Sequence, residues 1–281
     1  MSTTILAGHR GYSAVYPENT MAAFINAYNT GCNGIEFDVR TSSDGVLCIM
    51  HDPTVDRTTD GTGYVHELTW AALSALDAGN GEKIPSLEQI LDYFKGKSIY
   101  LIVEIEYNEN YPNIALQAAE MIEKKGMSHQ VLFNSFNPIA TVQGKFRNPY
   151  MSAGIIVSTG SIATSINTAV AAGLQFLSVD STKIDASVVS DVHNAGLKLF
   201  AWTPDTVEAM QAMVDLGVDG IISNYCDREM TIKTTNSLTL DVPTRNEFAA
   251  RNVNVFINGK FKPTITRVFS HGIFKEKSVK Y

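Results

Sequence analysis

Two histidines, an arginine and several acids fall early in the chain: His9-Arg10-Gly11, Glu36-Phe37-Asp38 and His51-Asp52. A further acid closes the apolar run Leu101-Ile102-Val103-Glu104. Imidazoles titrate near neutral pH and pass protons. The Arg10 guanidinium offers a two-pronged donor for a phosphate, with packing against a loop carbonyl as its plainer use. Glu36 and Asp38 are two residues apart, so in a strand they share a face. With Glu104 they form a group of carboxylates that repel one another unless a cation lies among them. Oxygen donors suit Mg²⁺ or Ca²⁺, and the absence of a CxxC pair or clustered histidines argues against zinc. The plainer reading of Glu36 and Asp38 is as surface acids, but flanked by Ile35, Phe37 and Val39 they need a partner. This inventory fits the handling of a phosphodiester with one divalent cation. His66, His129, His193 and His271 lack such company and read as structural or solvent-facing.

Bringing these residues to one place requires a particular succession of elements. Short apolar strands are expected at 4–7, 35–39, 99–106, 131–135, 152–157, 176–179, 198–202 and 220–223. Val46 to Met50 returns as a hairpin partner after the turn Ser42-Ser43-Asp44-Gly45. Helical segments are expected at 17–30, 69–78, 86–94, 112–125, 138–146, 161–172, 185–194 and 205–215. Eight buried strands, most followed by a helix, fit a closed (β/α)₈ TIM barrel, with an open doubly wound sheet as the runner-up. No GxGxxG or P-loop follows the first strand. In a barrel, strand C-terminal ends converge on one mouth. His9-Arg10, Glu36, Asp38, His51 and Glu104 all fall at such ends.

Composition bounds the rest. The 281 residues are 44% hydrophobic and 18% charged, with a net charge of −7, as expected of a globular protein. No apolar run reaches the roughly 18 residues of a membrane span, and no leader pattern precedes His9. Cys32, Cys48 and Cys226 read as buried reduced thiols, and a cytoplasmic location is expected. Eight basic side chains against three acids give residues 234–281 a charge of +5 and leave −12 for residues 1–233. A boundary is therefore expected near 233. Beyond it, Asn252 to Ile257, the turn signal Asn258-Gly259 and Lys260 to Val268 read as a small β extension. That extension could mediate homo-oligomer contacts, since unpaired strands seek partners. No nucleic-acid-reading motif is present.

His9-Arg10-Gly11…Pro17-Glu18-Asn19-Thr20, Glu36-Phe37-Asp38-Val39, Asp44-Gly45 and His51-Asp52…Asp56-Arg57-Thr58-Thr59 resemble the glycerophosphodiester phosphodiesterase family. Gly61-Thr62-Gly63, Ile84-Pro85-Ser86-Leu87, Ser135-Phe136-Asn137 and Ala201-Trp202-Thr203 extend the resemblance, which covers about residues 4–228. It implies a (β/α)₈ barrel with an insertion after the second strand, here about residues 52–84. It also implies a metal site at Glu36, Asp38 and Glu104, His9 and His51 as acid and base, and Arg10 on the phosphate. The implied reaction is metal-dependent hydrolysis of a glycerophosphodiester to glycerol 3-phosphate and an alcohol. The substrate's own hydroxyl would attack phosphorus to give a cyclic phosphate that water opens. A lyase that stops at the cyclic phosphate, and a barrel that only binds phosphorylated ligands, are the alternatives.

Two positions depart from the family. Glu106 stands where a lysine is usual, and strand periodicity points it toward the site, where it would repel a phosphate unless it binds metal or meets a cation. Ser223-Asn224-Tyr225-Cys226 replaces the usual Thr-Asp and proline. Trp202 reads either as an apolar wall for glycerol or a head group, or as a core aromatic at the barrel rim.

Overall fold

Alternation along the second strand sets the architecture. Ile35, Phe37 and Val39 are fully buried in the main core, between strands and helices, so Glu36 and Asp38 must face the other way, into the barrel. The computed structural model describes residues 4–229 and 231–232, together with the backbone of four strands between Val253 and Glu276. Eight parallel strands close into a (β/α)₈ barrel: β1 (Ile5–Gly8), β2 (Gly34–Thr41), β4 (Tyr100–Ile105), β5 (Val131–Ser135), β6 (Ser152–Val157), β7 (Phe176–Asp180), β8 (Lys198–Trp202) and β9 (Gly220–Ser223). Pairing of β1 with both β2 and β9 closes the ring. The remaining strand, β3 (Leu47–Ile49), runs antiparallel on the end of β2, as the hairpin signal requires. Inside the barrel, Ile5, Ala7, Ile102, Leu132, Phe176, Phe200 and Ile222 form a packed plug, so the polar groups of the mouth rest on an apolar floor.

Two expected helices come out shorter. The helix expected from Pro17 starts only at Met21, capped by the Thr20 hydroxyl, which accepts from the Ala23 N–H. Asn19 stops it from starting earlier, because its φ of 59° is not helical. The helix expected over 69–78 spans only Trp70–Leu73. There the Asp77 carboxylate accepts from the N–H groups of Gly79 and Gly81, and Gly79, Asn80 and Gly81 all take positive φ, which winds the chain into turns.

The segment between β3 and β4 carries a small core of its own, in which Met50, Val55, Val65, Leu73 and Ile84 pack together. All three cysteines are buried thiols. Beyond the barrel, Val253–Ile257 pairs antiparallel with Lys260–Ile265. The single alternating run expected to reach Val268 instead stops at Ile265, and a second antiparallel pair follows, Arg267–Ser270 with Ile273–Glu276. Asn258-Gly259 lies outside the described residues, as does His271. Among the described residues no helix is long and apolar enough to cross a membrane.

Candidate active site

All eight residues singled out from the sequence lie at the C-terminal end of the barrel, on β2, β4 and β8 or just after β1, β3 and β4. Register places the Cα of Asp38 opposite that of Glu104. Oxygens of Glu36, Asp38 and Glu104 lie within 4.8 Å of one another. Glu36 and Asp38 are buried, and one oxygen of Glu36, Oε1, has no hydrogen-bond partner. Burial, and then the neighbouring charge of Asp38, hold both Glu36 and Glu104 well above the usual carboxylate range. Three crowded carboxylates and an orphaned buried oxygen are what a divalent cation would satisfy. The all-oxygen donor set suits Mg²⁺ or Ca²⁺.

The protein supplies some positive charge to this cluster through Arg10. Its backbone N–H donates to Glu36 Oε2 at 2.9 Å, and its Nε stands 3.4 Å from Asp38 Oδ2. Asn19 adds a hydrogen bond from Nδ2 to Asp38 Oδ2 at 2.7 Å. The left-handed backbone of Asn19 thus delays the start of a helix and brings an amide onto a buried carboxylate.

The histidines flank the carboxylates. His9 Nε2 lies 3.9 Å from Glu36 Oε2. The ring nitrogens and oxygens of His51, Asp38 and Glu106 lie within 4.8 Å of one another. In both rings the partner of Nδ1 fixes the tautomer. Asn224 gives its Nδ2–H to Asp205 at 2.7 Å, which leaves Asn224 Oδ1 to accept from His9 Nδ1 at 2.7 Å. Asp52 accepts from His51 Nδ1 at 2.7 Å. Each Nε2 is thereby left for chemistry in the mouth. Burial, and then the charge of Arg10, lower the proton affinity of His9.

Glu106 meets the cation that the sequence left open. Arg40 Nη2 donates to Glu106 Oε2 at 2.9 Å, while Arg40 Nε holds the carbonyl of His51 at 2.8 Å. The other oxygen, Glu106 Oε1, stands 3.9 Å from His51 Nε2. Burial is the main cause of the raised Glu106 carboxyl, opposed by Arg40. Trp202 packs against the barrel plug and meets the edge of Phe136 at 5.9 Å between ring centroids.

A third arginine ties the two sides together. Arg57, on the inserted loop, donates to Asp52 from Nε at 2.6 Å and to Glu18 from Nη1 at 2.9 Å and Nη2 at 2.7 Å. Glu18 in turn accepts from Arg10 Nη1 at 3.0 Å. Hydrogen bonds from Arg57 hold the Asp52 carboxyl well below its usual range. Among the described residues, His66 packs between Tyr64 and Tyr111, and His193 bonds Asp219.

Residues 9–228 match the model of the glycerophosphoryl diester phosphodiesterase family. The chain belongs to that family. A glycerophosphodiester phosphodiesterase of Caldanaerobacter subterraneus subsp. tengcongensis is 34% identical over 229 residues, covering 79% of this chain and 94% of that one. Among solved structures, a phosphodiesterase of Oleispira antarctica in complex with the product sn-glycerol-3-phosphate is 28% identical. Its TM-score is 0.73, over 80% of this chain and 95% of that one. A glycerophosphodiester phosphodiesterase of Agrobacterium tumefaciens aligns with a TM-score of 0.71 at 25% identity, over 83% of this chain and all of that one.

Proposed function

We propose that the chain hydrolyses glycerophosphodiesters to glycerol 3-phosphate and an alcohol, through a cyclic phosphate. The observation that carries this reading is the pair of imidazoles whose Nε2 atoms flank one carboxylate cluster, with Arg10 seated on that cluster. Family membership and the product bound to the Oleispira relative support it.

Glu36, Asp38 and Glu104 would hold the cation, either Mg²⁺ or Ca²⁺. When bound, it supplies positive charge to the phosphoryl oxygens and lowers the proton affinity of a nearby hydroxyl. Arg10 orients the phosphate and shares its charge. His9, kept neutral by burial and the Arg10 charge, takes the proton of the attacking hydroxyl at Nε2. His51 gives the proton from its Nε2 to the departing alkoxide, with Asp52 at Nδ1 stabilising the charged ring. Because the nucleophile belongs to the substrate, little encounter entropy is lost in the first step. Water then opens the ring with the proton roles reversed. Glu106 faces this departing side and tunes the choice of alcohol, while Trp202, across the barrel on β8, is an apolar wall for the glycerol.

Phosphorus NMR of glycerophosphocholine, glycerophosphoethanolamine and glycerophosphoglycerol incubated with the protein tests the reading. Glycerol 3-phosphate should accumulate, and the order of preference should change in Glu106→Lys. A cyclic phosphate that persists would make the enzyme a lyase, and no turnover with any cation would leave only a binding module.

Arg57→Ala should lower kcat/KM by about tenfold to a hundredfold, because displacing a catalytic group by an ångström is enough for the larger figure. The loss should be in kcat, since Arg57 reaches the site only through Asp52 and Glu18. In an Asp52→Asn background the further loss should be much smaller. Full additivity of the two changes would show that Arg57 does not act through Asp52.

A further inference from the structure

One buried polar group in the mouth plays no part in the chemistry above. Asn134 is 1% exposed and its Oδ1 has no hydrogen-bond partner. Leu132, two residues earlier on β5, belongs to the plug inside the barrel, so Asn134 also faces inward. Register sets Asn134 beside Glu104, which is itself beside Asp38. One row around the barrel wall thus reads carboxylate, carboxylate, carboxamide. The next place in the row is Gly154, where a Cβ would lie 2.3 Å from the Phe176 ring. The ring of Phe176 takes that space, and the polar row ends at Asn134.

Trp202 shows the complementary feature. Phe200 places β8 in the same plug, so Trp202 faces inward, and its Nε1–H is buried without an acceptor. A lone acceptor and a lone donor are therefore both left on inward-facing residues near the C-terminal ends of their strands. Buried polar atoms in native proteins almost always have partners, and exceptions mark places where something else supplies them.

The chemistry of that partner is constrained. Asn134 Oδ1 requires a donor or a cation, and an anion is disfavoured beside Glu104. Trp202 Nε1–H requires an acceptor. A hydroxyl group satisfies both needs and carries no charge. Resting on the glycerophosphodiester reading, we propose that Asn134 is a specificity residue for the polyol. Its Oδ1 accepts from a hydroxyl of the glycerol moiety, and Trp202 Nε1–H donates to an oxygen of the same moiety. Neither residue exchanges a proton with the reacting atoms.

Calorimetric titration with sn-glycerol 3-phosphate and with 1-propyl phosphate, at fixed magnesium, tests the assignment. The two ligands share a phosphate, and only the first carries hydroxyls. The wild-type protein should bind sn-glycerol 3-phosphate about tenfold tighter than propyl phosphate, the size expected for loss of one or two hydrogen bonds. In Asn134→Leu the two affinities should converge while that for propyl phosphate stays the same. The melting temperature of the ligand-free variant should hold or rise, because an unsatisfied buried amide has been removed. That readout separates a binding role from a structural one, for which the melting temperature would fall. Should Asn134→Leu fail to fold, Asn134→Ala serves for the same titrations.

Unchanged discrimination in the variant overturns the assignment. So does a parallel loss of affinity for magnesium chloride titrated alone, which would make Asn134 a cation ligand. A wild-type protein that binds neither phosphate would instead sink the glycerophosphodiester reading, and this assignment with it.

Discussion

His51→Ala is expected to lower kcat by roughly 10²- to 10⁴-fold, the usual contribution of a placed proton donor. KM should move far less, because Arg10 and the proposed cation site remain in place for the phosphate. The fold should survive, since the ring is 36% exposed and its side-chain bond is to Asp52 at the surface of the mouth. His9→Ala should give a loss of similar size. The two histidines differ in their supports, however. His51 has a carboxylate at Nδ1, and His9 has the neutral amide of Asn224. With burial and Arg10 also lowering its proton affinity, His9 stays a free base below the ordinary histidine value of 6.5. The acid limb of kcat/KM should therefore fall below that pH. Near-normal turnover in His51→Ala would remove it from the chemistry.

Chelation is expected to abolish turnover, with recovery on adding Mg²⁺ or Ca²⁺. Glu36→Gln should give the same loss in a form that cation cannot rescue. Stability provides an independent readout. Glu36 and Glu104 have raised proton affinities in the folded protein, so the cation-free fold binds more protons than the unfolded chain. Their contribution is present below the ordinary carboxylate value of 4.5 and is lost as pH rises through the raised values. The cation-free protein should thus melt at lower temperature as pH rises toward neutral. Cation at a hundredfold excess over its Kd should return about 2.7 kcal/mol. In Glu36→Gln the cation-free protein should be more stable than wild type at neutral pH, and the response to cation should shrink. A wild-type melting curve indifferent to both EDTA and magnesium would refute the cation site.

The barrel was legible because its strands are short, apolar and bounded by turn and helix signals. Parity did the rest: Ile35, Phe37 and Val39 had to face the helices, so Glu36 and Asp38 had to face inward. The same parity continues to Arg40, and following it two residues further would have found the partner of Glu106. Asn19 is harder to see, because its part depends on a left-handed backbone that overrides a good helix start. Arg57 comes from a polar loop with no periodicity, and its bonds to Glu18 and Asp52 exist only once that loop has folded over the mouth. Asn134 looks like one polar interruption in a buried strand until register sets it beside Glu104.

Asp205, Asn224 and His9 form a relay across the seam where β9 meets β1. A nascent chain emerging from the ribosome holds both imidazoles, Arg10 and all three acids long before residue 224 is made. Until the last strand docks, nothing holds the His9 ring in its working tautomer. On the proposed mechanism, a partly synthesised barrel would carry its reacting groups before His9 is oriented, and ring closure would complete the site.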